Sequence, residues 1–444
     1  MVYIFRNGGE VLKAFSKKIR IVLLSCEISG CAFGRSLCPA DSSMEGRWIT
    51  EVLIFGNERT KPETILREMK TRSGDVFDAS RIEEDRKRIQ NLGVFNRVEM
   101  FAEPAGEDVR VAVFVTEGLS FIPYPVFHLN ERDWKKLSYG AGLRHVNFRG
   151  RAETLDVLLS AGYNPIYRFS YVNPWIDGTN GLQAVLDVHF QRLLSKHFRD
   201  EKAHENHLGF FVQIGKRLTL TTSLNALLGY REVSLSPEWI GLLEYHRDRM
   251  PVAGLSALMD HRDLKEYPNR GYFLILSARK TGWPSMRADY TTIETDARGY
   301  LPVIGQCTFA ARNAIALTAG VVPVYDRLFL GYEERIRGHW SVMAEGENRW
   351  IASAALRFPL IKIRHFDLGE SSESMNLKFG VSFGFFADAG KVWFHNERLD
   401  TGRLLFGYGA GLHFHLPIVD VLRFEAAFDE KGRREWIFDI GADI

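Results

Sequence analysis

The stretch His261-Arg262-Asp263-Leu264-Lys265-Glu266-Tyr267-Pro268-Asn269 is the part of this sequence that most resembles an active site. A kinase catalytic loop reads H-R-D-x-x-x-x-N, because its Asp accepts the substrate proton and its Asn reaches the second Mg²⁺. Here Pro268 stands where that Asn belongs, and Asn269 comes one residue late. No Gly-rich loop precedes a V-A-I-K strand and no D-F-G follows, so phosphoryl transfer is excluded. His413 and His415 share one strand face and lack a third ligand, which leaves no metal site. Gly407, Gly409 and Gly411 imitate a phosphate loop, but no helix follows them to bind a phosphate. Neither G-x-S-x-G nor H-E-x-x-H occurs. No catalytic residue and no cofactor is therefore expected.

Bulk properties narrow the classes further. The 444 residues carry 57 basic and 55 acidic side chains and 39 glycines. Balanced charge with no Lys/Arg run gives no support for a nucleic-acid partner. No run of about 18 apolar residues is present, so no transmembrane helix is expected. Cys26, Cys31 and Cys38 crowd the first 40 residues, and Cys307 is the fourth. Basic residues, the apolar run Ile21–Cys26 and small residues up to Ala40 predict a signal peptide over 1–40. Its removal would leave one thiol.

The elements fall into two groups. Residues 47–118 predict a small α+β unit in the order βααββ. Strand Trp48–Phe55 ends at Gly56-Asn57, and a short helix runs from Pro62 to Met69. Ser80 and Glu83 have the spacing of a capping box for a second helix that Gly93 closes. Val109, Val111, Val113 and Val115 then alternate with Arg110, Ala112 and Phe114, an alternation that sets one valine face toward the core.

Over 120–444 the period becomes two, in about sixteen segments. Leu422, Phe424, Ala426 and Phe428 alternate with Arg423, Glu425 and Asp429. Links near 192–204, 232–249 and 319–349 are long, whereas the alternate links are short and carry prolines, as at 173–175, 267–271, 301–302, 358–359 and 416–417. An even number of amphipathic strands with long links on one side fits a transmembrane antiparallel barrel, apolar outside and charged inside.

Family likeness rests on three motifs. Gly56-Asn57, Gly74, Phe77-Asp78, Asp85 and Gly93-Val94-Phe95 resemble a POTRA (polypeptide transport-associated) domain. Ile336-Arg337-Gly338-His339, in the long link, is similar to the "VRGF/Y" motif of the BamA/TamA-like outer-membrane assembly and translocation superfamily. Asp260, Arg262, Asp263, Pro268 and Gly271 match that family's "D-x-R-D…P-x-x-G" turn, with Arg262 and Asp263 expected to form a local ion pair.

The resemblance implies that the loop folds into the barrel and that Arg337 pairs with Asp388. It further implies clients that are unfolded outer-membrane or secreted polypeptides, the outer-membrane bilayer as surroundings, and accessory lipoproteins as further partners. The POTRA domain would receive the client, and the seam between the first and last strands would act as a lateral gate. Three departures stand out: Ala355 replaces the usual acid of an "E-x-R-F-P-L" strand, His339 an aromatic, and Tyr332 a glycine. The change at Ala355, the single POTRA domain and the terminal Ile444 keep open a passive pore or surface protein that lacks insertase activity.

Overall fold

The computed structural model describes residues 44–129, 134–176, 181–195, 203–236, 247–284, 286–331, 334–339, 344–368, 375–397, 400, 404–416 and 421–441. The leader with its three cysteines, Tyr332, Pro417 and Ile444 lie outside them.

The N-terminal unit consists of β1 (Ile49–Phe55), α1 (Pro62–Leu66), α2 (Ala79–Gln90), β2 (Phe95–Ala105) and β3 (Asp108–Glu117). Its sheet has the order β1-β3-β2, with β1 parallel to β3. Ile65, Met69, Ile82 and Ile89 from the helical side pack on Val109, Val111 and Val113. Each such burial contributes about 1.5–3 kcal/mol. The cap of α2 is Asp78 rather than Ser80: its carboxylate accepts from Ser80 N at 2.8 Å and Arg81 N at 3.2 Å. Asp caps as well as Ser does. Glu83, spared that role, pairs with Arg86 at 2.7 Å.

Sixteen strands form one antiparallel sheet. They are β4 (Phe121–Leu129), β5 (Leu137–Phe148), β6 (Glu153–Gly162), β7 (Ile166–Asn173), β8 (Leu182–Leu194), β9 (His204–Arg217), β10 (Thr222–Ser236), β11 (Arg247–Asp260), β12 (Gly271–Gly282), β13 (Asp289–Pro302) and β14 (Thr308–Val321). The sheet resumes with β17 (Asn348–Leu368), β18 (Met375–Trp393), β19 (Leu405–His415), β20 (Leu422–Asp429) and β21 (Arg434–Ile440). Between β14 and β17 the two short strands β15 (Leu328–Leu330) and β16 (Ala344–Gly346) pair with each other. Exposed Leu228, Leu255, Leu276, Ile293 and Leu317 lie on the outer face. Inside, Arg168 meets Asp187 at 2.6 Å, and Arg298 and Arg312 flank Asp296 at 2.7 and 2.9 Å. Apolar outside and ion-paired inside is the arrangement a lipid-embedded barrel requires.

Phe358-Pro359 is not a turn. Both residues lie inside β17, whose ladder with β18 runs on to Leu368↔Met375, past the last β14 pair at Thr308↔Arg357. Pro359 is tolerated because β14 has already ended beside it and the register shifts there, the two settings that accept a strand proline.

The N-terminal unit docks on the turns of β5–β12. Lys61 N and Thr64 Oγ1 each donate to Gly150 O at 2.9 Å, and Arg217 forks onto Glu68 at 2.7 and 2.9 Å. Arg67 and Arg217 both lie over the Trp175 ring, and Asn147 donates to Thr60 Oγ1 at 2.8 Å. Thr60 is held in turn by Glu117, whose carboxylate accepts from Thr60 N and Oγ1, both at 2.6 Å. Burial pushes the Glu117 carboxyl up, but these bonds from Thr60 and those from Arg59 outweigh it and hold the group below the usual carboxylate range. A lowered folded value means stabilisation that is complete above the unfolded carboxyl pKa and lost as pH falls through the folded one. Thermal unfolding of the Glu117→Gln protein is expected to begin lower at neutral pH and to lose part of its acid dependence.

Candidate functional site

The described residues of the link 322–347 reach into the barrel, and the reason is visible in what they bury. Leu330 and Ile336 cluster with Ile351 of β17 and Val392 of β18. Gly390 and Gly407 make the necessary room. A Cβ at Gly390 would meet Ile336 Cδ1 at 2.8 Å, and one at Gly407 would meet Arg337 O at 1.8 Å. Gly407→Ala is therefore expected to lift the loop by overpacking, at about 1–3 kcal/mol. Faster proteolysis within 322–347 would report it.

Arg337 sits at the centre of a buried polar cluster. Its Nε and Nη2 donate to the two oxygens of Asp388, both at 2.7 Å, and its backbone N donates to the same carboxylate at 3.2 Å. Nη1 donates to Glu425 Oε1 at 3.2 Å, and the guanidinium lies 3.7 Å from the Phe386 ring centroid. Such a planar fork, stacked and bidentate, is a geometry lysine cannot supply. Arg423 and Arg335 extend the cluster to Asp439 at 3.3 and 2.7 Å. Gly338 has φ +94°, and its amide donates to Glu435 at 2.9 Å. His339 Nε2 lies 2.9 Å from Phe406 O and 2.8 Å from Glu430 Oε2.

Asp388 was readable from the family pattern, whereas Glu425 was not. With Ala355 in place of the usual acid, the second carboxylate reaches Arg337 from β20, which the strand period marks only as lumenal. The signal that would have found it is a buried acid two positions from Arg423, on the strand that pairs with Gly407.

The turn residues lie beside the N-terminal unit, where Asn91 bonds the backbone of Asp263 and Lys265. Arg262 pairs with Asp260, at 2.8 Å through both Nε and Nη2, and not with Asp263. The Asp263 carboxylate instead accepts from Leu264 N and Asn269 N at 2.9 Å, closing the turn on itself. An Asp so placed folds back on nearby backbone amides, which leaves Arg262 to the neighbour at i−2. Gly271 has φ +108°, and a Cβ there would fall 2.0 Å from His261 O. Pro268 O accepts from Arg357 Nη2.

His413 and His415 are both held by hydrogen bonds. His413 Nδ1 meets Tyr267 OH at 2.8 Å and its Nε2 meets Glu425 at 3.3 Å, while His415 Nε2 meets Ser382 Oγ at 2.9 Å. His339, Asp429 and Glu430 lie close enough to share a cation. The Asp429 oxygens, however, accept from Lys431 N and Arg433 N and Nε, so the group reads as a capped turn.

Comparison with known proteins agrees with this architecture. The family model described as the Omp85 superfamily domain matches residues 147–444, and a POTRA model, the surface antigen variable number repeat, matches 49–118. The outer membrane protein assembly factor BamA of Neisseria meningitidis is 20% identical over 89% of this chain and 53% of its own length. The chloroplastic outer envelope protein 80 of Oryza sativa is 28% identical over 28% of this chain and 19% of its own. The chain thus spans about half the length of the first of these relatives and less of the second. Among solved structures, BamA from Haemophilus ducreyi lacking POTRA domains 1–3 superposes with TM-score 0.54 at 18% identity, covering 89% of this chain and 84% of that one. CdiB from Escherichia coli gives 0.57 at 14%, covering 90% and 75%. The chain belongs to the Omp85 superfamily: it is an outer-membrane β-barrel of sixteen strands with its POTRA domain on the periplasmic side.

Proposed function

We propose that this protein inserts or translocates other polypeptides at the outer membrane, with the POTRA domain receiving the client and the β4–β21 seam acting as a lateral gate. The observation that carries the reading is the sheet itself. It ends on β4 and β21, and among the described residues no ladder joins them. Elsewhere each neighbouring pair is laced by backbone bonds that cannot be replaced by water inside a bilayer. Pro123 and Pro125 stand two apart in β4, so both missing donors lie on one edge. Strand prolines are accepted on the edge that faces away from a ladder, here the seam. A seam so sparsely bonded opens at low cost and offers its edge to an incoming strand.

The clients would be unfolded outer-membrane or secreted polypeptides, entering from the POTRA side, where the outer edges of β1 and β2 can accept an extended chain. Accessory lipoproteins are the further partner class. The second reading, a passive pore or surface protein, is weakened by the lumen, into which the 322–347 link carries Leu330 and Ile336. Proteoliposomes separate the two. Insertion of an unfolded model barrel with low conductance is expected; steady conductance without insertion would overturn the proposal.

A further inference from the structure

The turn between β11 and β12 touches three parts of the molecule at once. Asn91, at the end of α2 in the POTRA domain, donates to Asp263 O at 3.1 Å and accepts from Lys265 N at 3.0 Å. Two residues on, Tyr267 enters the lumen and is 7% exposed. Its ring lies under the Arg357 guanidinium, 4.1 Å from ring centroid to Cζ, which fixes its direction. Its hydroxyl meets His413 Nδ1, His413 Nε2 meets Glu425 Oε1, and that same oxygen accepts from Arg337. Hydrogen-bond logic sets the protons. Nε2 must donate to the carboxylate, so Nδ1 accepts and the tyrosine donates.

We propose that Asn91, Tyr267, His413 and Glu425 form a relay that couples docking of the POTRA domain on the periplasmic turn to seating of the 336–339 segment inside the lumen. The relay deepens the insertion reading, because it gives the client-facing domain a physical path to the plug. Tyr267 and His413 are positioning residues: they hold Glu425 where Arg337 needs it. The two-state element is the loop segment, whose Arg337 and Gly338 amides are bonded to Asp388 and Glu435 only when it is seated.

Hydrogen–deuterium exchange on the full-length protein in lipid nanodiscs tests this. Asn91→Ala is expected to expose the Lys265 amide and to speed exchange over 334–339 by about fivefold. Tyr267→Phe should speed the loop by about tenfold, the factor expected for one broken buried bond. Because both act on one path, the double variant should exchange no faster than Tyr267→Phe. His413→Gln keeps a donor and an acceptor and should stay within about twofold of the parent, whereas His413→Leu should match Tyr267→Phe. If the Lys265 amide opens in Asn91→Ala while 334–339 stays unchanged, or if the double variant is multiplicative, the relay is wrong. Insertion measured on the same preparations is a separate readout, so the relay and the insertase reading fail independently.

Discussion

Arg337→Ala is expected to unseat the 322–347 link, and with it to abolish the proposed insertion activity, while the sixteen-strand wall persists. The reasoning is electrostatic. Asp388 and Glu425 are 3% and 0% exposed, and the guanidinium is the shared partner of both. Removing it leaves two buried carboxylates that the remaining cations only partly neutralise, a loss of about 3–5 kcal/mol. That is enough to shift the seated-to-unseated ratio of the loop by about two to three and a half orders of magnitude (about 1.4 kcal/mol per tenfold). Proteolysis within 322–347 should become rapid, and the variant should still show the heat-resistant migration of a closed barrel. Arg337→Lys keeps the charge but loses the fork and the stacking on Phe386, so it should fall between the two.

The second large effect concerns where the acid comes from. Glu425→Ala should also loosen the loop, because Arg337, Arg423 and His413 all lean on that carboxylate. Adding Ala355→Glu to Glu425→Ala should recover much of the loss. Ala355 pairs with Phe386 in the β17–β18 ladder, and Arg337 lies over that ring, so a carboxylate at 355 rises beside the guanidinium. In the parent background the same Ala355→Glu change should destabilise, since it adds a third buried acid to one fork. Loop proteolysis rates across the four proteins give the coupling energy directly. Restoration in the double variant shows that the acid has moved from β17 to β20; purely additive losses would show that it has not.

Much of the architecture was legible because its cause is local. Alternation along a strand is set by the pleat, so Arg423 and Glu425 read as lumenal and Phe424 as lipid-facing from their order alone. The Arg337–Asp388 contact was legible for another reason, a motif spacing shared with the family. Glu425 was not, because nothing within β20 records that Ala355 on another strand lacks its acid. The same limit hid the hub role of residues 263–268: Asn91, Lys378 and Arg357 meet that turn only after three separate segments have folded. Two misreadings came from rules with rivals. Ser80 fitted a capping box, but Asp78 two residues earlier caps the helix first. Pro359 looked like a turn because proline breaks ladders, yet β14 ends beside it and there is no ladder on that side to break.

The central claim is that the β4–β21 seam opens during work. Cysteine pairs scanned along Phe121–Leu129 and Arg434–Ile440, in a background with Cys26, Cys31, Cys38 and Cys307 all replaced by Ser, allow the seam to be locked by oxidation and freed by reductant. The measurement is insertion of an unfolded barrel client into proteoliposomes by one preparation in both states. Loss of insertion when oxidised and its return on reduction are the predicted result; full insertion through a quantitatively locked seam would contradict the gate.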